Sequence, residues 1–533
     1  MVAGLPVPAG AAPDGPGDGP RFGTVPFRPI TGAFPYGQLA RTTLRLHRVV
    51  VVPLYSSRKP SMSDLRIMTS ETAAFWAREV PGLSIRFTVT PAVRAPAAVV
   101  CDTGSAWSLA QRRAGLGAGS LATGRHLFAW APECGTTGVA TQAPGFGRIY
   151  VGMTGSGVLA HEFGHNLGLI HADVLVCRRG GVVVSLSRSC TEYEYADVDD
   201  VMGAGVGGTD LLADVRTGGL VQALLTGRVV KVPVAESSTA NLARRGTAAR
   251  VAAVRSAYGT ILLTVTDRER LSTERLGVQA RLATGNGSGL LHLPGWDGAL
   301  AGSDSLLELG DVWDVPGTRL RAVVTGLTPD GGELGFVPRG APARAPAAPV
   351  ISAPADSLAS ASGPWQLTWS AGTADDTIAH VVTVDGEVAA RIAGPSAQAV
   401  MGPATTGQQV RVWAVTGQGA RTASEPLSVI AVEPEVNLVS SLGDPAIDEE
   451  PIARGPFTVS WAPTPAAAVA AIASWEVDYG QGATLLPVDA RSVVADPAAL
   501  GVAPGTRLSI EVTGLDGRGR AVVGGSYVVT YQT

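Results

Sequence analysis

The 533-residue sequence contains little charge and almost no lysine. Charged residues make up 16% of it, and lysine occurs only at Lys59 and Lys231, so arginine carries nearly all of the positive charge. The formal net charge is −4 and the sequence pI is about 6.0. Because proteins that bind nucleic acid concentrate basic residues in patches, this balance argues against nucleic acid as the main partner.

Long apolar runs are also missing. No run of about 20 apolar residues occurs, so we expect no transmembrane helix and no membrane span. The first residues, Met1 to Pro6, lack the basic and apolar regions of a secretory signal. The chemistry described below leads us to expect a secreted, extracellular protein, although no signal is evident in this sequence.

Cysteine is scarce and confined to one region, where it occurs as Cys101, Cys134, Cys177 and Cys190. Four cysteines allow three disulfide connectivities. We favour Cys101–Cys134 and Cys177–Cys190. Disulfides are expected because we expect an oxidising compartment. The second bridge would restrict the loop that follows the histidine cluster described next. The alternative is four reduced cysteines in the core.

Histidine is scarce as well, yet three of the 7 histidines lie between His161 and His171, in the pattern H-E-x-x-H-x-x-G-x-x-H. On a helix, His161 and His165 lie one turn apart and point to the same side. Gly168 permits a turn that ends the helix and returns His171 to the other two. Three neutral imidazoles leave one zinc position open for water, as in catalytic sites. Glu162 beside them suits general-base work on that water.

This motif resembles that of the metzincin metallopeptidases, whose long zinc motif is followed by a Met-turn. A candidate Met-turn, Asp200-Val201-Met202-Gly203, lies 31 residues after His171 when counted to the methionine. The combination is most similar to the gametolysin-like branch, and the resemblance covers about residues 41–228. It implies an α+β catalytic domain, a mixed twisted sheet with the zinc helix, followed here by all-β sandwich domains.

The resemblance also implies a function. The protein would be a secreted zinc-dependent endopeptidase acting on protein or peptide substrates, with one catalytic Zn²⁺ held by His161, His165 and His171. Glu162 would be the general base, and Met202 would support the site from beneath without binding the metal. A rival hypothesis is an extracellular adhesion or matrix-binding protein that retains the zinc domain as a scaffold. Such a scaffold would not need Glu162.

Three further segments lie near the motif. Two of them have two possible interpretations each, and the third has one that the resemblance implies. Residues Gly135–Gln142 would form an edge strand to which an extended peptide adds, or else an ordinary glycine-rich loop. Small residues from Gly203 to Gly208 would wall a roomy pocket for the side chain after the cut bond. The acidic residues before the Met-turn could bind Ca²⁺, but their spacing fits no calcium loop, so we favour a solvated loop. These acidic residues are Glu192, Glu194, Asp197, Asp199 and Asp200.

The chain is long enough for several domains. Residues 1–40, rich in Gly, Pro and Ala, are predicted to be a flexible leader or the remnant of a pro-segment, and 41–228 the catalytic domain. Within it we predict strands at 41–56, 83–90, 126–130 and 148–151, and helices from Ser61 or Ser63 to Ala77, at 106–114 and at 209–216. Residues 229–340 alternate short apolar runs with turn residues, the pattern of a β-sandwich.

An internal repeat occupies the remaining chain. Pro364–Trp369 is echoed by Pro456–Trp461, about 90 residues later. The two halves, 345–434 and 435–533, resemble fibronectin type III domains. Their tryptophans could stack on sugars, but we favour core positions for them. A cell-surface or matrix ligand, if the protein has one, would bind these β-modules.

Overall fold

The computed structural model describes residues 24–26, 39, 45–117, 119–135, 138–179, 182–187, 190–197, 199–203, 216–244, 248–268, 275–284, 287–291, 306–341, 344–352, 358–361, 364–370, 376–432, 435–442, 451–464, 472–480, 482–517, 519 and 521–532. The chain divides into two compact units, Met1–Ala341 and Pro342–Thr533, called here the N-terminal unit and the C-terminal unit. Within the described ranges, no helix is long and apolar enough to span a membrane.

A six-stranded sheet belongs to the N-terminal unit. Its strands pair in parallel, except that Gly138–Ala140 runs antiparallel to its neighbour at one edge. In the strand Leu46–Tyr55, Val49 and Val51 belong to the apolar core on one face of the sheet, whereas Val52 and Leu54 belong to the core on the other face. From edge to edge the strands are Ser84–Val89, Leu46–Tyr55, Arg125–Trp130, Gly147–Val151 and Gly138–Ala140, with Val93–Arg94 also paired to Leu46–Tyr55.

Helices pack against this sheet. The helix Met62–Glu79 begins after the N-cap Ser61 and lies against the helix Ser156–Asn166, which we call the histidine helix. The indole Nε1 of Trp76 donates to the carbonyl of Ala160 at 3.1 Å, so the two helices are joined by a buried hydrogen bond as well as by apolar contact. The other helical segments are Ala97–Val100, Thr103–Arg113, the 3-10 turn Pro132–Cys134 and Gly219–Thr226. The helix predicted at 209–216 falls on residues of which only Arg216 is described.

A nine-stranded sheet crosses the boundary that we predict between residues 228 and 229, so that boundary is wrong. The strand His171–Arg179 pairs in parallel with Gly287–Leu291, so the chain on both sides of the boundary shares one sheet. A local apolar pattern identifies a strand but not its distant partner, which explains the error. The order is Thr24–Pro26, Cys190–Tyr193, His171–Arg179, Gly287–Leu291, Arg275–Ala283, Gly259–Arg268, Val251–Ser256 and Val229–Val232, with Val182–Val183 paired to His171–Arg179.

A four-stranded sheet shares a core with the nine-stranded one. Apolar side chains of both sheets, such as Leu175, Leu263 and Phe336, belong to a single buried cluster. The sandwich predicted for 229–340 is therefore present, but residues from before 229 complete it. The strands of the smaller sheet are Ser238–Ala243, Gly331–Pro338, Leu320–Thr328 and Val312–Asp314, in that order.

The leader predicted as flexible at 1–40 takes part in the fold where it is described. Thr24–Pro26 pairs antiparallel with Cys190–Tyr193 at the edge of the nine-stranded sheet. Leu39 is buried, and its N–H donates to the carbonyl of Leu224 at 3.2 Å. The Gly, Pro and Ala composition did not reveal these contacts, because backbone pairing needs no particular side chain. The described residues 24–26 and 39 are therefore ordered parts of the fold, whereas the rest of 1–40 lies outside the described residues.

Both disulfides have the predicted pairing. The disulfide Cys101–Cys134 links the segment just before the helix Thr103–Arg113 with the 3-10 turn Pro132–Cys134. Cys177 and Cys190 lie opposite each other on paired strands of the nine-stranded sheet, with their Cα atoms 4.0 Å apart. Two disulfides are typical of an extracellular or secreted protein, since reducing compartments keep thiols free.

The C-terminal unit contains two β-modules, each with its own apolar core. The repeated tryptophan positions are buried: Trp365, Trp369 and Trp461 are each 3% exposed, so they are core residues and not a sugar-stacking surface. In the first module the strands are Val350–Ser352, Leu358–Ser360, Trp365–Ser370, Thr377–Val384, Glu387–Ala393, Gln398–Met401, Gln409–Thr416, Arg421–Ala423, Leu427–Ser428 and Ile430–Val432. In the second they are Glu435–Ser440, Ile452–Ala453, Phe457–Thr464, Ser474–Asp478, Ala483–Pro487, Ser492–Ala495, Arg507–Leu515 and Ala521–Tyr531.

Candidate functional site

The histidine helix packs against the six-stranded sheet and beside the helix Met62–Glu79, which contacts the same sheet. Its apolar positions Leu159 and Phe163, with Leu167 just after its end, recur every four residues and are fully buried in one core. This packing fixes the helix along its length. His161 and His165 lie one turn apart, with their ring centroids separated by 4.8 Å.

His171 reaches the same place from the start of the next strand. The chain leaves the helix through Gly168, whose φ of +92° lies in the left-handed region that favours glycine. The strand His171–Arg179 then begins beside the helix. One ligand atom from each of His161, His165 and His171 lies within 4.8 Å of the other two. Across the described ranges, no other trio of His, Cys, Asp or Glu meets the same condition.

Two backbone carbonyls determine which nitrogen of each helical imidazole is available. Nδ1 of His161 lies 2.8 Å from the carbonyl oxygen of Val201, and Nδ1 of His165 lies 2.9 Å from that of Leu169. A carbonyl oxygen only accepts, so each Nδ1 carries the hydrogen. The lone pair of a neutral ring is then on Nε2, the arrangement that is usual for zinc-binding histidines.

The surroundings also favour neutral imidazoles. Burial, reinforced by the neighbouring His165, lowers the pKa of His161 to about 3. Burial with its two histidine neighbours lowers the pKa of His171 to about 2. Since metal ligation requires the unprotonated ring, these donors fit a zinc ion of the three-histidine type. His161, His165 and His171 would hold it.

Glu162 is buried between the histidine helix and the edge strand Gly138–Ala140. A Cβ added at Gly138 would lie 2.6 Å from Oε1 of Glu162, so the carboxyl group packs directly on the backbone of the edge strand. Burial raises the pKa of Glu162 to about 8. A divalent cation nearby would oppose this shift, because an opposite charge stabilises the carboxylate.

Met202 lies beneath the histidine helix. It is fully buried, and its sulfur occupies the space where Gly164 would otherwise carry a Cβ. The turn is held by its backbone: the N–H of Met202 donates to Oδ1 of Asp200 at 2.9 Å, and its carbonyl accepts from the N–H of Ala172. A glycine at 164 is therefore required for the close approach of helix and turn.

Three residues of the acidic run, Glu192, Asp197 and Asp200, are buried, which corrects our preference for a solvated loop. Asp197 is 0% exposed and accepts from Arg281 at 2.6 Å and 2.9 Å. Asp199 accepts from Gln279 at 3.0 Å, and Glu192 is buried against Thr284. These partners come from strands far along the chain. The buried carboxylates of the acidic run thus anchor the segment that precedes Met202.

A second histidine pair ties the histidine helix to the sheet. His47 and His126, on adjacent strands, are buried with Nδ1 of the first 2.8 Å from Nε2 of the second. Nδ1 of His126 lies 3.0 Å from Oδ1 of Asn166, the last helical residue. The amide of Asn166 donates to the carbonyl of Thr141 at 2.8 Å, which fixes the chain beyond the edge strand.

Some residues at the site carry no signal in the sequence. The ring of Tyr195 lies over that of His171, with centroids 3.7 Å apart. Burial raises the pKa of the Tyr195 hydroxyl group. Trp76 and Arg281 reach the site only through the tertiary fold. The pocket wall predicted at Gly203–Gly208 falls on residues of which only Gly203 is described.

No protein-family model matches the chain, and no match is found among curated proteins. Solved fibronectin type III modules are similar to it. Those of Clostridium thermocellum CbhA are 12% identical, over 34% of this chain and 94% of that chain, with a TM-score of 0.16. The central array of RIM-binding protein is 16% identical, over 36% and 69%, with a TM-score of 0.15. The chicken CNTN1 FN1–FN3 domains are 11% identical, over 51% and 94%, with a TM-score of 0.16. The two β-modules are defined by their own strand pairing.

Proposed function

We propose that the N-terminal unit is a zinc-dependent endopeptidase that cuts extracellular proteins. One observation carries the proposal: the ligand atoms of His161, His165 and His171 converge within 4.8 Å of one another, and Glu162 lies on the same helix as two of them. A purely structural zinc site would be closed by a fourth protein ligand. Across the described ranges, no fourth His, Cys, Asp or Glu joins the group.

The chemistry divides between the metal and the chain. Zinc, when bound, lowers the pKa of water and polarises a carbonyl group. Glu162 accepts the proton of the attacking water on a carboxylate oxygen and delivers it to the nitrogen of the leaving amine. Its burial keeps solvent from competing for that proton, and the absence of a side chain at Gly138 leaves room for the carboxyl group.

The edge strand Gly138–Ala140 supports a peptide as the substrate. Among the described strands it is the last of the six-stranded sheet, and its only partner is Gly147–Val151. An extended peptide can pair with such an edge through main-chain hydrogen bonds. Glu162 packs against this strand, so a peptide bound there passes close to the carboxyl group.

The test compares Glu162→Gln with the wild type on casein and gelatin. We expect cleavage to fall by about 10²–10⁴-fold, the usual contribution of a general base, while zinc content remains one ion per chain. Glu71→Gln, an exposed acid of the helix Met62–Glu79, is the matched control and should cleave at the wild-type rate.

Two results would contradict the proposal. One is a wild-type protein that binds no zinc, measured by metal analysis after dialysis. The other is a zinc-loaded wild type that cuts none of a proteome-derived peptide library. The second result would favour the adhesion hypothesis, in which the C-terminal unit carries the function and the histidine site is a scaffold.

A further inference from the structure

The three histidines of the site are not held in the same way. The rings of His161 and His165 are each fixed at Nδ1 by a backbone carbonyl, at 2.8 Å and 2.9 Å. Among the described residues, no such acceptor faces the ring of His171. The closest group to that ring is the phenol ring of Tyr195, with centroids 3.7 Å apart and planes inclined by 35°.

Tyr195 is itself fixed to the strand that His171 begins. Its N–H donates to Oδ1 of Asp173 at 2.9 Å, and Asp173 is fully buried two residues after His171. The N–H of Asp197 also donates to the carbonyl of Ala172. The tyrosine therefore moves with the strand, and its ring stays in register with the imidazole.

The backbone of Tyr195 has an unusual conformation. Its φ of 60° lies in the left-handed region, and Asp385 is the one other non-glycine residue with positive φ among those described. Residues other than Gly, Asn and Asp seldom adopt it. Such outliers persist where surrounding contacts determine them, often at functional sites. Here the conformation turns the aromatic ring towards the histidines, since its centroid also lies 5.8 Å from that of His161.

We infer that Tyr195 is a positioning residue for the metal site: its ring, and not its hydroxyl group, sets the orientation of His171. The inference rests on the proposed function, because it assigns a role towards the same zinc ion. Residues that orient metal ligands affect metal affinity by about 10- to 100-fold when they are removed. The aromatic face restricts the rotation of the His171 ring by contact, whereas a carbonyl oxygen holds each of the other two rings by a hydrogen bond.

The experiment measures zinc affinity of the full chain by competition with a chromogenic chelator. Tyr195→Ala and Tyr195→Leu should bind zinc about 10- to 100-fold more weakly than the wild type. Tyr195→Phe keeps the ring and should restore affinity to within about twofold of the wild type. The visible absorption of the cobalt-substituted protein should change in the Ala and Leu variants and stay as in the wild type for Phe.

Tyr193→Ala is the matched control, since this partly buried tyrosine on the preceding strand packs against a separate apolar cluster. It should bind zinc as the wild type does, and circular dichroism of the zinc-free proteins checks that all variants fold. Wild-type affinity in both Tyr195→Ala and Tyr195→Leu would overturn the inference. So would a loss in Tyr195→Phe as large as that in Tyr195→Ala, because the hydroxyl group would then be responsible. A wild type that binds no zinc contradicts the proposed function instead.

Discussion

The interiors of the two units differ in their use of charge. Every fully buried Asp, Glu or Arg among the described residues belongs to the N-terminal unit, whereas the buried polar residues of the C-terminal unit are His, Thr and Ser. The C-terminal modules have cores of tryptophan, valine and other apolar residues. Burying ions is costly, and well-packed apolar groups often stabilise a fold more. The buried charges of the N-terminal unit are therefore better explained by positioning than by stability.

Three of the buried charged residues, Asp197, Asp200 and Arg281, lie where the Met-turn meets the rest of the unit. Asp200 accepts from the N–H groups of Met202 and Gly218, at 2.9 Å and 2.8 Å. Next to it, Arg281 of the nine-stranded sheet pairs with Asp197. The Met-turn beneath the histidine helix is thus attached to the part of the chain that follows residue 229. The nine-stranded sheet is therefore part of the framework of the histidine site, whereas no described residue of the C-terminal unit belongs to the group of metal-ligating side chains.

Two truncations compare the contribution of the nine-stranded sheet with that of the C-terminal unit, and we expect the largest effects on folding and cleavage from them. A chain ending at Ala341 should fold and cleave small peptides within about twofold of the full chain, because it keeps the whole N-terminal unit. A chain ending at Arg228 loses five strands of the nine-stranded sheet and the partner of Asp197. We expect it to show no cooperative thermal unfolding by circular dichroism. A folded, zinc-binding 1–228 fragment would restore the boundary that we reject.

Within the N-terminal unit, Arg281→Met should destabilise strongly because it leaves Asp197 charged, buried and unpaired. Removing one partner of a buried ion pair costs about 3–5 kcal/mol, measured as the free energy of unfolding of this unit in urea. The matched control is Arg321→Met, whose pair with Asp314 is 3.4 Å long and partly exposed. Exposed pairs contribute at most about 1 kcal/mol. Equal effects of the two substitutions would refute the distinction drawn here between buried and surface charge.

Much of the local structure and the site motif could be predicted from sequence. The helix at Met62–Glu79 and four of the six strands of the six-stranded sheet follow from periodicity and capping. The pairing of Cys177 with Cys190 is the one that we favour among three possible connectivities. The convergence of His161 and His165 follows from helical spacing alone. These features depend on residues that are near one another in the chain.

What could not be predicted depends on distant partners. His171 starts a strand that pairs with residues beginning at Gly287, and nothing in either segment specifies the other. From the sequence, Asp197 is expected to be a surface acid, and only the structure places Arg281 beside it. Tyr195 is one of several tyrosines, and its role depends on its positive φ, which cannot be predicted from the sequence. In each case the missing information is a tertiary contact that local propensity does not encode.

The smallest effect that we predict is an acid response that differs between the units. In the N-terminal unit, burial, opposed by the hydrogen bond to Asn166, lowers the pKa of His126 to about 3. The unfolded chain binds this proton near pH 6.5. Stability is therefore fully present above that pH and is lost as the pH falls towards 3. At pH 5 the loss amounts to about 2 kcal/mol.

His126→Gln removes this titration and should flatten the decline in the free energy of unfolding of the N-terminal unit between pH 7 and pH 5 by about that amount. His380 is the buried histidine of the C-terminal unit, and burial lowers its pKa as well. His380→Gln should flatten the acid response of the C-terminal unit and leave that of the N-terminal unit unchanged. If either substitution altered the acid response of both units equally, the two would not unfold as independent structures, and the contrast between their interiors would lose its thermodynamic meaning.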